Sequence, residues 1–340
     1  MVNDGFETES PRVRFAVEVA EAGCAVARRV QQEMVVSAIE KEDRSPVTIA
    51  DFAIQALIGC RLEKAFPGEM LVGEESAELL RRPGQEGVVE RIAGFIRGLE
   101  PEAGQDEVLR WIDRGQGKLA DRFWVVDPID GTKGFLRDAQ YAVALAYVEG
   151  REVQLGVLGC PRLELSSGRR TARPEVAETG CLVVAERGHG TWMRRLGESR
   201  FQRLQVSAVE APPEAVALRS VESGHTNVSR FDTVLEFVGT RREPIRMDSQ
   251  AKYAMLAAGQ ADFLLRLISP GRPDYREKIW DQAAGAIVVE EAGGRITDLD
   301  GKPLDFGVGR KLLRNRGVVA SNGRLHEVVL EALRQVERDD

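Results

Sequence analysis

The apolar run FWVV (123–126) stops at Asp127, and a second carboxylate follows three residues on, inside Asp127-Pro128-Ile129-Asp130-Gly131-Thr132. A β-branched and aromatic run that meets Pro and Gly reads as a strand entering a tight turn, because proline lacks a ladder donor and glycine accepts left-handed backbone. The chain must therefore build a sheet with two acids at one strand end. Two readings stand at this point. The acids cap an ordinary turn through Asx hydrogen bonds, or they form a loop that holds a hard cation.

Three further acidic points bear on that choice. Glu74-Glu75 follow Gly73 after a short strand over 69–72, Asp51 follows Ser45-Pro46-Val47-Thr48 at the start of a helix, and Asp281 follows Trp280 at the head of another. Singly, Asp51 and Asp281 read as helix caps and Glu74-Glu75 as a solvated face. Together they are separated carboxylates at the ends of regular elements, where loops converge on shared sites. With 3 histidines in the chain a histidine-rich zinc site is not expected, so a metal here is held by oxygen and resembles Mg²⁺ in its demands. No phosphate-binding Gly-Lys loop, dinucleotide fingerprint, HExxH or GxSxG occurs.

The remaining pattern alternates helices and strands. Val13, Val17, Ala20, Cys24, Ala27 and Val30 recur at helical spacing over 11–33. Pro46 excludes continuation of that helix, and a second starts near Asp51 and ends before Pro67. A helix is expected over 88–99, irregular chain over 100–120, and a hairpin from 141–148 and 152–158 joined at 149–151. Strands are expected at 181–185, 203–206, 216–221, 262–267 and 318–321, and helices at 231–238, 250–258, 281–292 and 324–336. Pro212-Pro213 suggests a boundary near 209, giving domains over 10–208 and 209–340, and the alternation suits a layered α/β fold.

Composition narrows the partners. With 47 basic against 54 acidic residues the net charge is −7, which argues against a nucleic-acid backbone binder but leaves room for a small anion held by a few local cations. The four cysteines form no Cys-x-x-Cys pair and read as reduced thiols of a cytoplasmic protein. The polar, acidic start MVNDGFETES is unlike a signal peptide, and no apolar run is long enough for a membrane span.

Four stretches, SPVTIAD, VGEES, WVVDPIDGTKGF and WDQAAGAIVVEEAGG, resemble in order the motifs of the lithium-sensitive, Mg²⁺-dependent phosphatases that include inositol monophosphatase. DGTKGF, GVLGCP (156–161), DSQAKY (248–253), EKIWDQAAG (277–285) and PLDFGVGR (303–310) make the chain most similar to the 3′(2′),5′-bisphosphate nucleotidase branch, over about residues 11–335. The resemblance implies an α/β (α+β) fold, a layered α-β-α-β-α sandwich of two domains with the site between them. It implies metal ligation of two or three Mg²⁺ ions by Glu74, Asp127, the Ile129 carbonyl, Asp130 and Asp281. It places Asp51 and Thr132 as the pair that activates water, and His225, Ser249, Lys252 and Arg266, with Thr132 and Asp281, against the substrate. Ser249 and Lys252, three apart, would share a helix face. Glu75 is left out of the ligand set.

The implied activity is hydrolysis of 3′-phosphoadenosine 5′-phosphate to AMP and phosphate in sulfur assimilation, with 3′-phosphoadenylyl sulfate as a further substrate and inhibition by Li⁺. The alternatives are an inositol polyphosphate 1-phosphatase or inositol monophosphatase-like activity and, from another class, a non-catalytic metal-dependent binding protein. Neither nucleic acid nor membrane is an expected partner, and a monomer or homodimer is. His225 is followed by Thr-Asn rather than by the serines of this branch, and ISPGRPDY (268–275) lies just ahead of Glu277-Lys278. Both departures bear on substrate range rather than on the metal motifs.

Overall fold

The computed structural model describes residues 6, 10–38, 46–165, 177–221, 228–269 and 271–339. His225 lies outside them. In chain order the helices are α1 Pro11–Ala38, α2 Pro46–Ala65, α3 Glu86–Ile96, α4 Gln105–Asp113, α5 Thr132–Leu136, α6 Val228–Val238, α7 Ala251–Ala257, α8 Ala283–Glu291 and α9 His326–Asp339. The strands are β1 Met70–Gly73, β2 Arg122–Asp130, β3 Ala142–Glu149, β4 Glu152–Cys160, β5 Cys181–Glu186, β6 Gly190–Arg195, β7 Gln202–Leu204, β8 Ala217–Arg219, β9 Ile245–Arg246, β10 Phe263–Arg266, β11 Arg295–Thr297 and β12 Val318–Ser321.

The first seven strands form one sheet in sequence order, with β1 parallel to β2 and the rest an antiparallel meander. The second sheet runs β11-β12-β10-β8-β9. Alternate residues of a strand face opposite ways, so each sheet feeds two cores. Trp124, Val126, Leu145 and Val157 turn to the side covered by α1 to α4. Phe123, Val125, Ala144 and Leu158 turn to the other side and meet α7, α8 and the inner face of the second sheet, including Leu264, Val318 and Ala320. Phe263, Leu265 and Val319 on its outer face pack on α6 and α9. The layers are thus helix, sheet, helix, sheet, helix.

α8 lies between the two sheets, and its sequence AAGAIVVEE is apolar nearly all round, as a doubly covered helix requires. A Cβ on Gly285 would sit 2.1 Å from the Tyr253 ring, so α7 and α8 approach only because this residue has none. Gly285→Ala is expected to destabilise the fold by about 1–3 kcal/mol through overpacking, read by thermal unfolding. An unchanged midpoint would mean that α7 yields without cost.

Several sequence expectations are corrected. The stretch 100–120 is not all irregular, because Val108, Trp111 and Ile112 give α4 a short buried face. Pro46 begins α2 instead of preceding it, since proline's missing donor costs nothing in the first turn, and Asp51 therefore lies within the helix. β2 continues through Asp127-Pro128-Ile129-Asp130, and the turn comes only at Gly131, with φ +88°. Ser249 precedes α7 in left-handed backbone, φ +66°, so it shares no helix face with Lys252. Strands β6, β9 and β11 had no clear alternation to announce them. No helix among the described residues is long and apolar enough to cross a membrane.

Candidate active site

Asp127 and Asp130 are three apart, and in a regular strand they would point to opposite faces. Their partners on β3 are Ala144 and Ala142, only two apart, so the ladder carries one extra residue between them. This bulge at Pro128-Ile129 turns both carboxylates to the same side, and a proline is tolerated at a bulge in an internal strand. The chain then turns at Gly131 into α5.

That side opens on a cleft of about 350 Å³. Glu74 from the end of β1, Asp127, Ile129 and Asp130 from β2 and Thr132 from α5 line it from the first sheet. Ser249, Lys252, Arg266 and Asp281 line it from the second half of the chain. Oxygens of Asp127, Asp130 and Asp281 all lie within 4.8 Å of one another. Asp127 Oδ1 is buried with no hydrogen-bond partner. Unpaired buried carboxylates pressed together are costly unless a cation joins them. The donor set fits a hard divalent ion, which takes carboxylate and carbonyl oxygens.

The electrostatics carry the same mark. Burial, and then Glu74, Asp130 and Asp281, push the Asp127 carboxyl well above its ordinary range. Asp281 is pushed up by burial, then by Asp130 and Glu277. Asp130 is raised by burial, with Lys252 and the Gln250 backbone N–H, which donates to it, pulling the other way. Glu74, at the open rim, is raised by desolvation and by Asp130. Asp51 stands apart from the cleft lining, 5% exposed in α2, raised by burial and by Glu75 and then Glu74. Glu75 itself is raised to about 7 by burial and Glu74. The Thr132 hydroxyl donates to the Ile129 carbonyl at 3.3 Å.

Acids raised in the folded state favour folding below their unfolded pKa and lose that contribution as pH rises through the folded value. The metal-free protein is therefore expected to melt at higher temperature as pH falls from about 8 to about 6.5, and saturating Mg²⁺ should flatten the dependence. Lys252, lowered to about 8, opposes the trend at the top of that window, and His326, lowered to about 4 by burial, opposes it below. A melting temperature that falls as pH drops over the window would show that burial and crowding do not raise these carboxyls.

The second half of the chain also brings two cations to the cleft, beside Asp281. Lys252 is buried, donates to the Met247 carbonyl at 3.4 Å, and is lowered to about 8 by desolvation and Arg266. Arg266 is not a lone cation, since it pairs with buried Glu277 at 2.9 Å. Glu277 also accepts from Gln282 at 2.9 Å, and Gln282 accepts from the Tyr253 hydroxyl. Sequence reasoning missed this chain, although EKIWDQ holds two of its members, Glu277 and Gln282. It also missed Gln55, which grips Glu75 through its N–H at 3.0 Å and its carbonyl at 2.7 Å.

The sequence profile of the inositol monophosphatase family matches residues 9–338. The chain belongs to that family. It is 39% identical to the 3′(2′),5′-bisphosphate nucleotidase of Schizosaccharomyces pombe, over 92% of this chain and 90% of that one. It is 38% identical to the 3′(2′),5′-bisphosphate nucleotidase of Oryza sativa, over 96% of each. Among solved structures the family fold recurs in the IMPase of Thermotoga maritima, at TM-score 0.63 and 21% identity, covering 97% of this chain and 99% of that one. The family's enzymes are metal-dependent, which agrees with the carboxylate cluster.

Proposed function

We propose that this chain is an Mg²⁺-dependent 3′(2′),5′-bisphosphate nucleotidase, a phosphoric monoester hydrolase that converts 3′-phosphoadenosine 5′-phosphate to AMP and phosphate and also accepts 3′-phosphoadenylyl sulfate. The observation that carries the reading is a single cleft in which carboxylates from both halves of the chain converge beside Lys252 and Arg266. The names of the S. pombe and O. sativa relatives support it.

In this reading Glu74, Asp127, the Ile129 carbonyl, Asp130 and Asp281 hold two or three Mg²⁺ ions. Divalent cations held there would supply the positive charge that offsets the phosphate dianion, the attacking water and the leaving ester oxygen. Asp51 serves as the general base, and because it stands outside the cleft lining the proton of the attacking water reaches it through the Thr132 hydroxyl. Thr132 also orients that water. The water oxygen bonds to phosphorus as the ester P–O bond breaks, and the 3′-oxygen leaves with that bond's electron pair and takes a proton from a neighbouring water to become the hydroxyl of AMP. Lys252, Arg266, Ser249 and His225 hold the nucleotide, so binding energy is spent away from the reacting phosphorus. The division into 10–208 and 209–340 goes with this reading, the first part carrying most metal ligands and the second the nucleotide contacts. Such an enzyme clears the adenosine bisphosphate left by sulfate assimilation.

Phosphate release from a panel of 3′-phosphoadenosine 5′-phosphate, inositol 1-phosphate, inositol 1,4-bisphosphate and fructose 1,6-bisphosphate tests the proposal. The adenosine bisphosphate should have the highest kcat/KM, with inhibition by millimolar Li⁺ and not by K⁺. Preference for an inositol phosphate would transfer the assignment to the alternative activity, and no Mg²⁺-dependent release from any member would leave a binding protein.

A further inference from the structure

Asp281 reaches the cleft from a position that its own helix does little to hold. It precedes α8, and Gln282 between them has non-helical backbone with no side-chain cap. Its carboxylate nevertheless lies within 4.8 Å of those of Asp127 and Asp130. The residue before it, Trp280, is gripped on two sides. Gln250 donates Nε2–H to the Trp280 carbonyl at 2.9 Å and accepts the Gly285 N–H at 3.0 Å on Oε1. The Arg310 guanidinium lies 4.9 Å from the centroid of the Trp280 ring.

Each grip ends beside another carboxylate. The backbone N–H of Gln250 donates to Asp130 Oδ2. Arg310 donates Nη1–H to the Gly115 carbonyl at 3.0 Å and Nη2–H to the carbonyl of Gly73, which precedes Glu74. A buried amide and an arginine fork thus join three chain segments that are far apart in sequence, the ends of β1 and β2 and the head of α8.

We propose that Arg310 and Gln250 are positioning residues that set Asp281 against Glu74 and Asp130 by clamping Trp280 from its ring and its carbonyl. Arg310 stands outside the cleft lining, and Gln250, which lines it, commits its side-chain amide to the Trp280 carbonyl and the Gly285 N–H. They act through carboxylate geometry, as the outer partners of metal ligands do. The inference rests on the metal-centre reading above. Arg310 suits the task because its planar group stacks on an indole and bonds two carbonyls at once, which lysine cannot reproduce.

The test is Mn²⁺ binding to the full-length protein, by titration calorimetry and by the loss of the free-ion paramagnetic resonance signal, for the parent, Arg310→Lys and Gln250→Met. Each variant should bind Mn²⁺ about tenfold to a hundredfold more weakly. KM for 3′-phosphoadenosine 5′-phosphate at saturating Mg²⁺ should stay unchanged. Should Arg310→Lys fail to fold, Gln250→Met decides alone. Affinity within about twofold of the parent in the folded variants would overturn the proposal. Absence of Mn²⁺ binding by the parent would overturn the metal-centre reading and this one with it, and the parent's own titration tells the two failures apart.

Discussion

Asp130→Asn is expected to lower turnover about a hundredfold or more while the fold persists, since a Lewis-acid site contributes several kcal/mol and each ~1.4 kcal/mol is a factor of ten. The substitution keeps side-chain size and removes one of three carboxylates whose oxygens lie within 4.8 Å of one another. It also removes a repelling neighbour, for Asp130 helps to hold Asp127, Glu74 and Asp281 above their ordinary pKa range. The metal-free variant should therefore melt at or above the parental temperature while the gain in melting temperature on adding Mg²⁺ shrinks. Activity and thermal unfolding with and without Mg²⁺ check both halves. Near-parental turnover at saturating Mg²⁺ would remove Asp130 from the ligand set, and a large fall in metal-free stability would show that its attraction to Lys252, not charge crowding, dominates there.

Arg266→Ala should have a second large effect, in two separable parts. Removing the guanidinium strands buried Glu277, and breaking a buried pair by deleting one partner costs about 3–5 kcal/mol. Adding Glu277→Gln should recover most of that stability, because a neutral amide needs no countercharge. KM for the adenosine bisphosphate should stay raised about tenfold or more in the double variant, as a charge-assisted contact is worth roughly 1.5–3 kcal/mol. A double variant with parental KM would take Arg266 out of the nucleotide pocket and leave it a structural partner of Glu277. Equal loss of kcat on every substrate would instead place it on the transferred phosphate.

The two experiments probe residues that differ in how much of their role the sequence reveals. Asp127, Asp130 and Gly131 lie within one short motif, and the strand-ending acids with their turn residues could be read from that motif alone, as could the β3–β4 hairpin and the large apolar helices. Local chemistry and local periodicity decide such features, and both are properties of neighbouring residues. The resemblance to the inositol monophosphatase family was legible for the same reason, because its motifs are short and keep their internal spacing.

Long-range pairing decided the rest. Only the register of β2 against β3 places Asp127 and Asp130 on one face, for the extra residue between them is visible in the ladder and not in the motif. Glu277 precedes Asp281 in plain view, but its neutralisation of Arg266 depends on β10 lying beside the head of α8. Gln250 and Arg310 carry no local signal of function, and their importance appears when Trp280, Gly73 and Asp130 meet across the two sheets. By itself the sequence determined which chemical groups its motifs carry and roughly where its longer strands and helices run, because motifs and periodicity are written residue by residue. The tertiary structure alone decided which carboxylates face one another and which cations remain to meet a substrate, because mutual burial and charge pairing arise between segments that only the folded chain brings together.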